Sequence, residues 1–295
     1  MFRVRRLLAP FVLCIALLFS EAQAFTIAWL SDTQNYHNAY KPIFDGMTQW
    51  IADNRAALDI RFVFHTGDVV GSWSSEDQWR QARESMGILS NASIPFLTVC
   101  GNHDIGYRMN YANFLKYVLS LRPASMSQEY GDTGSRYELF SANGRDYIFM
   151  GIAFSNRGPS EDEVNWINGV LRQYSSRDAI IITHSYLKKS ASYTTQGKAI
   201  FEKIVKANPN VFLVLCGHCR DISYKNVQLD DDGDGDPDRT VYAILSNFQG
   251  SKAGGGGYMR ILDFRDSDIY IYTYSPYYDS CEYPKGKTEA TVPLP

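Results

Sequence analysis

The sequence predicts an α/β domain, in which strands and helices alternate along the chain. Apolar runs of four to eight residues are separated by longer amphipathic segments, the pattern of strands layered against helices. Five of these runs are followed directly by side chains that can bind metal ions. A last stretch is rich in β-branched and aromatic residues with turn signals between them. Together these observations predict a layered fold with a polar site along one sheet edge.

Residues 1–24 have the pattern of a secretory signal peptide. Three arginines precede the apolar run Leu7–Phe19, and the small residues Ala22 and Ala24 then form a cleavage site for signal peptidase. Cleavage is expected before Phe25, which would make the mature protein secreted or periplasmic. A retained membrane anchor is the alternative, but this run is too short to span a bilayer comfortably. No later apolar stretch is long enough to do so.

The remaining residues, 25–295, are expected to form one domain, since no repeat or linker divides them. Removal of residues 1–24 takes away three arginines and one glutamate, which leaves 26 basic and 31 acidic residues and a net charge of −5. This balance gives no electrostatic footprint for nucleic acid. The sequence leaves open the oligomeric state and the pairing of Cys100, Cys216, Cys219 and Cys281.

The elements follow from the periodicity in chain order. The first strands are predicted at Phe25–Leu30, Ile60–Phe64, Phe96–Val99, Tyr147–Phe154, Ala179–Ile182 and Val211–Leu215. Amphipathic spacing predicts helices near Ile43–Ala57, Glu76–Leu89, Ala112–Leu119, Glu161–Tyr174 and Lys198–Ala207. From about Ile222 onward only strands are expected, including Thr240–Leu245, Tyr258–Phe264 and Ile269–Tyr274.

A polar cluster begins where each of five predicted strands ends. These clusters contain Asp32 and Gln34, then His65 and Asp68, then Asn102, His103 and Asp104, then His184, and finally His218 and Arg220. Taken singly, an aspartate after a strand is more often a turn former or helix cap, and a histidine is more often structural. Four of the five histidines of the chain lie in these clusters. That concentration favours one shared metal site over separate coincidences.

The order of these motifs resembles the calcineurin-like metallophosphoesterase superfamily. The matching motifs, within about residues 25–220, are Asp32-x-Gln34, Gly67-Asp68, Gly101-Asn102-His103-Asp104, Thr183-His184 and Gly217-His218-x-Arg220. The later segments Ser246–Gln249 and Tyr274–Pro276 resemble those of exported bacterial members. The resemblance implies a four-layer α/β/β/α sandwich with a two-metal site, and it makes residues 25–295 a calcineurin-like phosphoesterase domain.

The resemblance also implies the metal ligands. One complete set consists of Asp68, which would bridge both ions, with Asn102, His184 and His218. Asp32 and Gln34 would bind the second ion. Oxygen and imidazole donors suit Mn, Fe, Zn or Ni. Such ions would clamp a substrate phosphate and lower the pKa of a bound water.

Two departures from the family pattern concern the second ion. The family usually has histidine where Gln34 and Arg220 stand. A glutamine oxygen binds a cation more weakly, and a guanidinium group has no lone pair to offer. The sequence therefore predicts one tight metal site and one weaker site. Arg220 is expected either to hold a substrate phosphate oxygen or to be a surface arginine beside the site.

His103 matches the residue that protonates the leaving oxygen, the task of a general acid. In protein phosphatases of this family, an aspartate stands at the position of Gly71 and orients that histidine. Asp104 or another group is therefore expected to orient His103, if any group does. His65 is expected to pack or hydrogen-bond behind the site. His37 lies near Gln34 and is a possible substitute ligand.

The function predicted from the resemblance is hydrolysis of a small phosphorylated substrate, a phosphomonoester or phosphodiester, by a metal-activated water with His103 as general acid. The alternative is a catalytically weak or inactive metal-bound binding protein of the cell envelope. Retention of His103 and Asp32 favours the enzyme, because neither belongs to the complete metal site.

An acidic segment near the C-terminal third is a second candidate metal site. Asp230, Asp232 and Asp234 form the start of an oxygen-rich calcium loop. The glutamate expected at the twelfth position is missing, since Val241 stands there. The alternative is a solvated acidic hairpin turn.

Overall fold

The computed structural model describes residues 24–121, 128–284 and 289–295. In this part of the chain the strands are β1 Phe25–Leu30, β2 Ile60–His65, β3 Phe96–Thr98, β4 Gln128–Tyr130, β5 Ser135–Ala142, β6 Arg145–Ile152, β7 Asp178–Thr183, β8 Val211–Cys216, β9 Asp221–Leu229, β10 Arg239–Asn247, β11 Met259–Phe264, β12 Asp268–Tyr274 and β13 Ala290–Pro293. The helices are α1 Lys41–Asp53, α2 Glu76–Asn91, α3 Asn102–Ile105, α4 Ala112–Tyr117, α5 Glu161–Gln173 and α6 Thr195–Ile200, the last continued by a π-helical turn at Phe201–Val205.

The described strands form two sheets. The first has six strands in the order β13-β12-β11-β1-β2-β3, and the second has seven in the order β4-β5-β6-β7-β8-β10-β9. The parallel pairs are β1 with β2 and β2 with β3 in the first sheet, and β6 with β7, β7 with β8 and β8 with β10 in the second. Each sheet therefore has a parallel part, at one side of the first sheet and in the middle of the second, and the carboxyl ends of its strands share one edge.

The two sheets pack face to face, and helices cover both outer faces. Along β1, Ile27 and Trp29 point into the core between the sheets, while Ala28 and Leu30 pack against the helices of the first sheet. Along β7, Ile180 and Ile182 face the same central core. Because both faces of these strands are buried, they appear in the sequence as continuous apolar runs. The arrangement confirms the predicted four-layer α/β/β/α sandwich.

Most predicted elements agree with the structure to within a few residues. Helices α2 and α5 begin where serine side chains, Ser75 and Ser160, accept hydrogen bonds from the amides of Gln78 and Glu163, as N-caps do. Strand β5 was not predicted, because its buried positions include Arg136 and Glu138, which hide the apolar pattern. Strands β4, β9 and β13 and the short helix α3 were also not individually predicted.

The predicted signal peptide, apart from Ala24, lies outside the described residues. Among the described helices, none is long and apolar enough to cross a bilayer. The four cysteines of the described chain are free thiols, with Cys100 and Cys216 buried, Cys219 half-buried and Cys281 exposed.

Candidate metal centre

Four predicted ligands converge at the carboxyl edges of both sheets. We call Asp68, Asn102, His184 and His218 the quartet. The Nε2 atom of His184 lies 3.1 Å from Nδ1 of His218, 3.1 Å from Oδ1 of Asn102 and 3.4 Å from Oδ2 of Asp68. Asp68 and Asn102 follow strands of the first sheet, whereas His184 and His218 follow strands of the second. The sandwich therefore brings together donors that are up to 150 residues apart in sequence.

Neighbouring groups orient the donors of the quartet. The Nδ1–H of His184 donates to the carbonyl oxygen of Thr66 at 2.8 Å, which directs Nε2 toward the other donors, as is common for metal-binding histidines. The Phe154 ring lies 5.7 Å from the imidazole of His184 and 5.9 Å from that of His218. Asn247 donates its side-chain amide to the carbonyl oxygen of His218 at 3.1 Å.

The quartet is electrostatically suited to a cation. Burial alone would lower the pKa of His184, but the Asp68 carboxylate raises it to about 9. Burial likewise opposes the charge of Asp68, yet the charge and hydrogen bond of His184 bring the pKa of Asp68 below its usual value. Burial, followed by the charge of His184, lowers the pKa of His218 to about 4. A proton and a metal ion thus compete for Nε2 of His184.

The second set of donors is less complete. We call Asp32 and Gln34 the Asp32 half. The Asp32 carboxylate is buried and accepts hydrogen bonds from the Ser31 hydroxyl and, at 3.2 Å for both oxygens, from the backbone amide of His218. Burial is the main reason that the pKa of Asp32 rises to about 7, and the charge of Asp68 raises it further.

Gln34 contributes an unused acceptor to the Asp32 half. Its side chain is buried, and its Oε1 has no hydrogen-bond partner among the described residues. A buried amide oxygen without a partner is costly, and a bound cation would satisfy it. Arg220 is exposed two residues beyond His218. The donors of the quartet and of the Asp32 half, two imidazoles with carboxylate and amide oxygens, fit a transition-metal centre.

The loops that carry the ligands are tightly constrained. Asp32, Asp68 and His218 have positive φ angles of 50°, 53° and 70°, a strained backbone region that is enriched at functional sites. A Cβ atom at Gly217 would lie 2.2 Å from Oδ2 of Asp32, and one at Gly101 would lie 2.2 Å from Oδ1 of Asp68. Glycine is therefore required for the close approach of neighbouring ligand loops.

His103 is exposed beside the quartet and is held at two points. Its backbone amide donates to Oδ1 of Asp68 at 2.8 Å, and its ring Nδ1 donates to the carbonyl oxygen of Gly71 at 2.9 Å. The position that carries an orienting aspartate in the protein phosphatases thus contacts His103 here through its backbone. Among the described residues, no hydrogen bond engages the Nε2 atom of His103.

Asp104 was expected to orient the His103 ring, but its carboxylate contacts backbone amides. Its two carboxylate oxygens accept from the amides of Gly101, at 2.8 Å, and of Val70, at 3.0 Å. It is fully buried, and burial, followed by the charge of Asp68, raises its pKa to about 8. Asp104 therefore ties the His103 helix to the loop after Asp68, and the direct partner of His103 is Gly71.

His65 lies behind the site, where its ring links both sets of donors. Its Nε2 is 3.0 Å from the Thr33 hydroxyl, and its Nδ1 accepts from the Gly67 amide at 3.1 Å. Burial, followed by the charge of His184, lowers its pKa to about 3. His37 is half-buried, and its ring approaches Gly71.

The sequence did not single out Ser31, Thr66 or Phe154, although the first two adjoin the aspartate motifs and Phe154 ends an apolar run.

The acidic segment forms the hairpin between β9 and β10. Ligand atoms of Asp230 and Asp232 lie within 4.8 Å of those of Asp238, whereas the sequence pattern had grouped the first two with Asp234. All three members of the cluster are exposed, and their oxygens accept from backbone amides of the same turn. Calcium binding there stays a prediction.

Two face-to-face sheets with metal donors along their shared carboxyl edge define a metallophosphoesterase architecture. A family model described as calcineurin-like phosphoesterase matches residues 25–219. The match covers more than half of the sequence, and the chain therefore belongs to the calcineurin-like phosphoesterase family.

Individual proteins resemble this chain in sequence or in fold. The uncharacterized protein YvnB of Bacillus subtilis (strain 168) is 41% identical over 259 residues, which is 86% of this chain but only 20% of YvnB. The chain thus spans about a fifth of the length of that relative.

A dimetal phosphatase from Danio rerio matches with a TM-score of 0.62 and 13% identity, over 91% of this chain and 98% of that chain. A purple acid phosphatase from yellow lupin (Lupinus luteus) seeds matches with a TM-score of 0.59 and 13% identity, over 92% of this chain and 54% of that chain. At such identities the shared property is the fold.

Proposed function

We propose that the chain hydrolyses a small phosphomonoester or phosphodiester with a metal-activated water. The main support is the convergence of the quartet, in which His184 Nε2 lies 3.1 to 3.4 Å from donor atoms of three other residues. Metal ions held by these donors would neutralise phosphate charge and lower the pKa of a bound water. Membership of the calcineurin-like phosphoesterase family supports the same chemistry.

His103 is the proposed general acid. The Gly71 carbonyl can only accept, so Nδ1 of His103 carries the hydrogen. The opposite nitrogen, Nε2, is then free to take up a second proton from solvent. In that imidazolium form it can deliver this proton to the leaving oxygen and return to the Nδ1–H form. The backbone amide of His103 donates to Asp68, which keeps this acid next to a metal ligand. A positioned acid of this kind contributes about 10²- to 10⁴-fold to the rate.

Arg220 is proposed to hold a phosphate oxygen of the substrate. Its exposure two residues beyond His218 supports this role, and a guanidinium group matches phosphate through two parallel hydrogen bonds. Replacement of Arg220 by alanine should raise KM, while the Arg220→Lys variant should recover only part of the loss. An unchanged KM in Arg220→Ala would leave the residue as a surface arginine.

Hydrolysis of p-nitrophenyl phosphate and of its bis-ester, with Mn²⁺ added, tests the proposed function. The wild-type chain should cleave at least one ester, and the preferred one separates a phosphatase from a phosphodiesterase. Activity on both esters should be lost in Asp68→Ala. Activity of His103→Ala should fall by about 10²-fold or more on phenyl phosphate, whose poor leaving group depends strongly on an acid. The Asp266→Ala variant is the matched control, because this exposed residue lies in the turn between β11 and β12, at the end of the first sheet where β1 begins.

The alternative is a metal-bound binding protein of the cell envelope. It is favoured by the incomplete Asp32 half, in which Arg220 replaces a histidine expected from the family. A chain that holds a metal ion but cleaves neither ester would support it. Export itself is proposed from the signal-peptide pattern of residues 1–24. N-terminal sequencing of the protein from culture medium or periplasm should begin at Phe25.

A further inference from the structure

We propose that Gln78 is a positioning residue for His103, and that it acts through the backbone carbonyl of Gly71. The proposal rests on the proposed function, in which His103 is the general acid. Its evidence is a continuous chain of hydrogen bonds from helix α2 to the imidazole ring. Gln78, Gly71, Ser72 and His103 are the residues involved.

The first link is between Gln78 and the loop after Asp68. The Oε1 atom of Gln78 accepts from the backbone amides of Gly71 and of Ser72, both at 2.9 Å. The second link is the 2.9 Å hydrogen bond from Nδ1 of His103 to the carbonyl oxygen of Gly71. One side-chain oxygen thus holds the loop segment on which the His103 ring depends.

The geometry of the peptide bond connects the two links. The Gly71 carbonyl and the Ser72 N–H belong to one planar trans peptide unit, in which they point in opposite directions. When Gln78 binds the Ser72 N–H on one side, the Gly71 carbonyl must point to the other side. His103 lies on that side. Gln78 therefore determines the direction of the oxygen that orients His103.

Gln78 does not perform the task that its sequence position predicts. Ser75-x-x-Gln78 has the pattern of a capping box, in which the glutamine side chain would return to the Ser75 amide. In the structure the Ser75 amide donates to the Ser72 carbonyl oxygen instead. The Gln78 side chain is thereby free to bind Gly71 and Ser72. Helix capping by the Ser75 hydroxyl is retained without it.

Other contacts hold the loop in place independently of Gln78. Asp104 accepts from the Val70 amide at 3.0 Å, and the Trp73 carbonyl accepts from the Trp79 indole at 2.8 Å and from Asn113 at 2.9 Å. Loss of the Gln78 oxygen should therefore change the orientation of one peptide unit and leave the fold intact. A merely structural role would lower stability without a specific effect on His103.

Three variants separate these roles. Gln78→Met keeps the length of the side chain but removes the acceptor, while Gln78→Glu keeps an acceptor oxygen and should restore the wild-type behaviour. Gln81→Met is the matched control. Gln81 is another glutamine of α2 that accepts from a loop amide, but its partner is Asn38.

The first readout is the tautomer of His103 in ¹⁵N–¹H NMR spectra of the zinc-loaded chain, assigned with His103→Ala. Wild type, Gln78→Glu and Gln81→Met should show hydrogen on Nδ1. Gln78→Met should shift the population toward hydrogen on Nε2, the form that free imidazole side chains prefer. Retention of the Nδ1–H form in Gln78→Met would overturn the proposal, whether or not the chain is an esterase.

The second readout compares phenyl phosphate, which has a poor leaving group, with p-nitrophenyl phosphate, which has a good one. Gln78→Met should lower kcat on phenyl phosphate about tenfold more than on p-nitrophenyl phosphate, with KM unchanged, because only the poor leaving group depends strongly on an acid. Equal losses on both esters would overturn the positioning role. Inactivity of the wild-type chain on both would instead contradict the proposed function, and the NMR result would still decide the Gln78 contact.

Discussion

The quartet and the Asp32 half differ in how completely their donors are assembled. In the quartet, donor atoms of three other residues lie around His184 Nε2, and the Thr66 carbonyl orients the His184 ring from behind. In the Asp32 half, the carboxylate already accepts from Ser31 and from the His218 amide, and Gln34 supplies one amide oxygen. Both halves occupy the same sheet edge. In the proposed two-ion site, the fold would place both ions at this edge, while the side chains would decide how tightly each is held.

The largest expected effect comes from removal of single carboxylates. Asp68→Ala should lose the tight metal ion and reduce kcat/KM by about 1,000-fold, or ~4 kcal/mol. The reason is that this carboxylate lies 3.4 Å from His184 Nε2 and its charge also acts on Asp32. Asp32→Ala should retain one tight ion after dialysis, because the quartet remains complete. Metal analysis of the dialysed variants is the measurement. Two equally tight ions in the wild-type chain would abolish the distinction between the halves.

Substitution of the glycines that precede the ligands, Gly101 and Gly217, is a second way to distinguish the quartet from the Asp32 half. A methyl group at Gly101 would overlap Asp68, and one at Gly217 would overlap Asp32, each at 2.2 Å. Both alanine variants should lose about 1–3 kcal/mol of unfolding free energy, measured by urea denaturation. Gly101→Ala should weaken the tight ion, while Gly217→Ala should first release the weaker one.

Gly169→Ala in α5 is the control for these variants, since a Cβ there meets open space. It should be neutral or stabilising by up to about 1 kcal/mol. Retention of both ions at wild-type affinity in Gly101→Ala and Gly217→Ala would show that the loops can separate without loss of the site.

A pH-dependent effect of similar size is expected at His65, whose ring contacts Thr33, next to Asp32, and Gly67, next to Asp68. Its pKa is about 3 when folded, against an ordinary value of 6.5. The unfolded chain therefore binds the extra proton first, and stability falls as the pH drops from 6.5 toward 3. Between pH 7 and pH 5 this loss is roughly 2 kcal/mol.

The His65→Gln variant isolates this contribution. Its unfolding free energy, compared with that of the wild type in urea at both pH values, should differ less at pH 5 than at pH 7. A difference that stays constant across this range would show that His65 is not a buried neutral link between the halves.

The resemblance and the strand-end pattern located the donors without a structure. Apolar runs such as Phe25–Leu30 are continuous because both faces of the strand are buried, and a polar residue after such a run marks the carboxyl edge. The same local logic failed for β5, where Arg136 and Glu138 are buried within the strand. Buried charged residues depend on partners distant in sequence, which no local pattern reveals.

The sequence by itself determined the α/β class and the strand-end positions of the candidate donors, because these are properties of residue type and spacing. The incomplete second ligand set was implied by the resemblance to the family and stays a prediction. Tertiary structure alone decided that Gly71 orients His103, since a backbone oxygen leaves no trace in residue identity. It also decided that Asp104 binds Val70 and that Gln78 holds the Gly71 peptide. These contacts depend on how α2 and α3 pack against one loop, and such packing is a property of the folded chain.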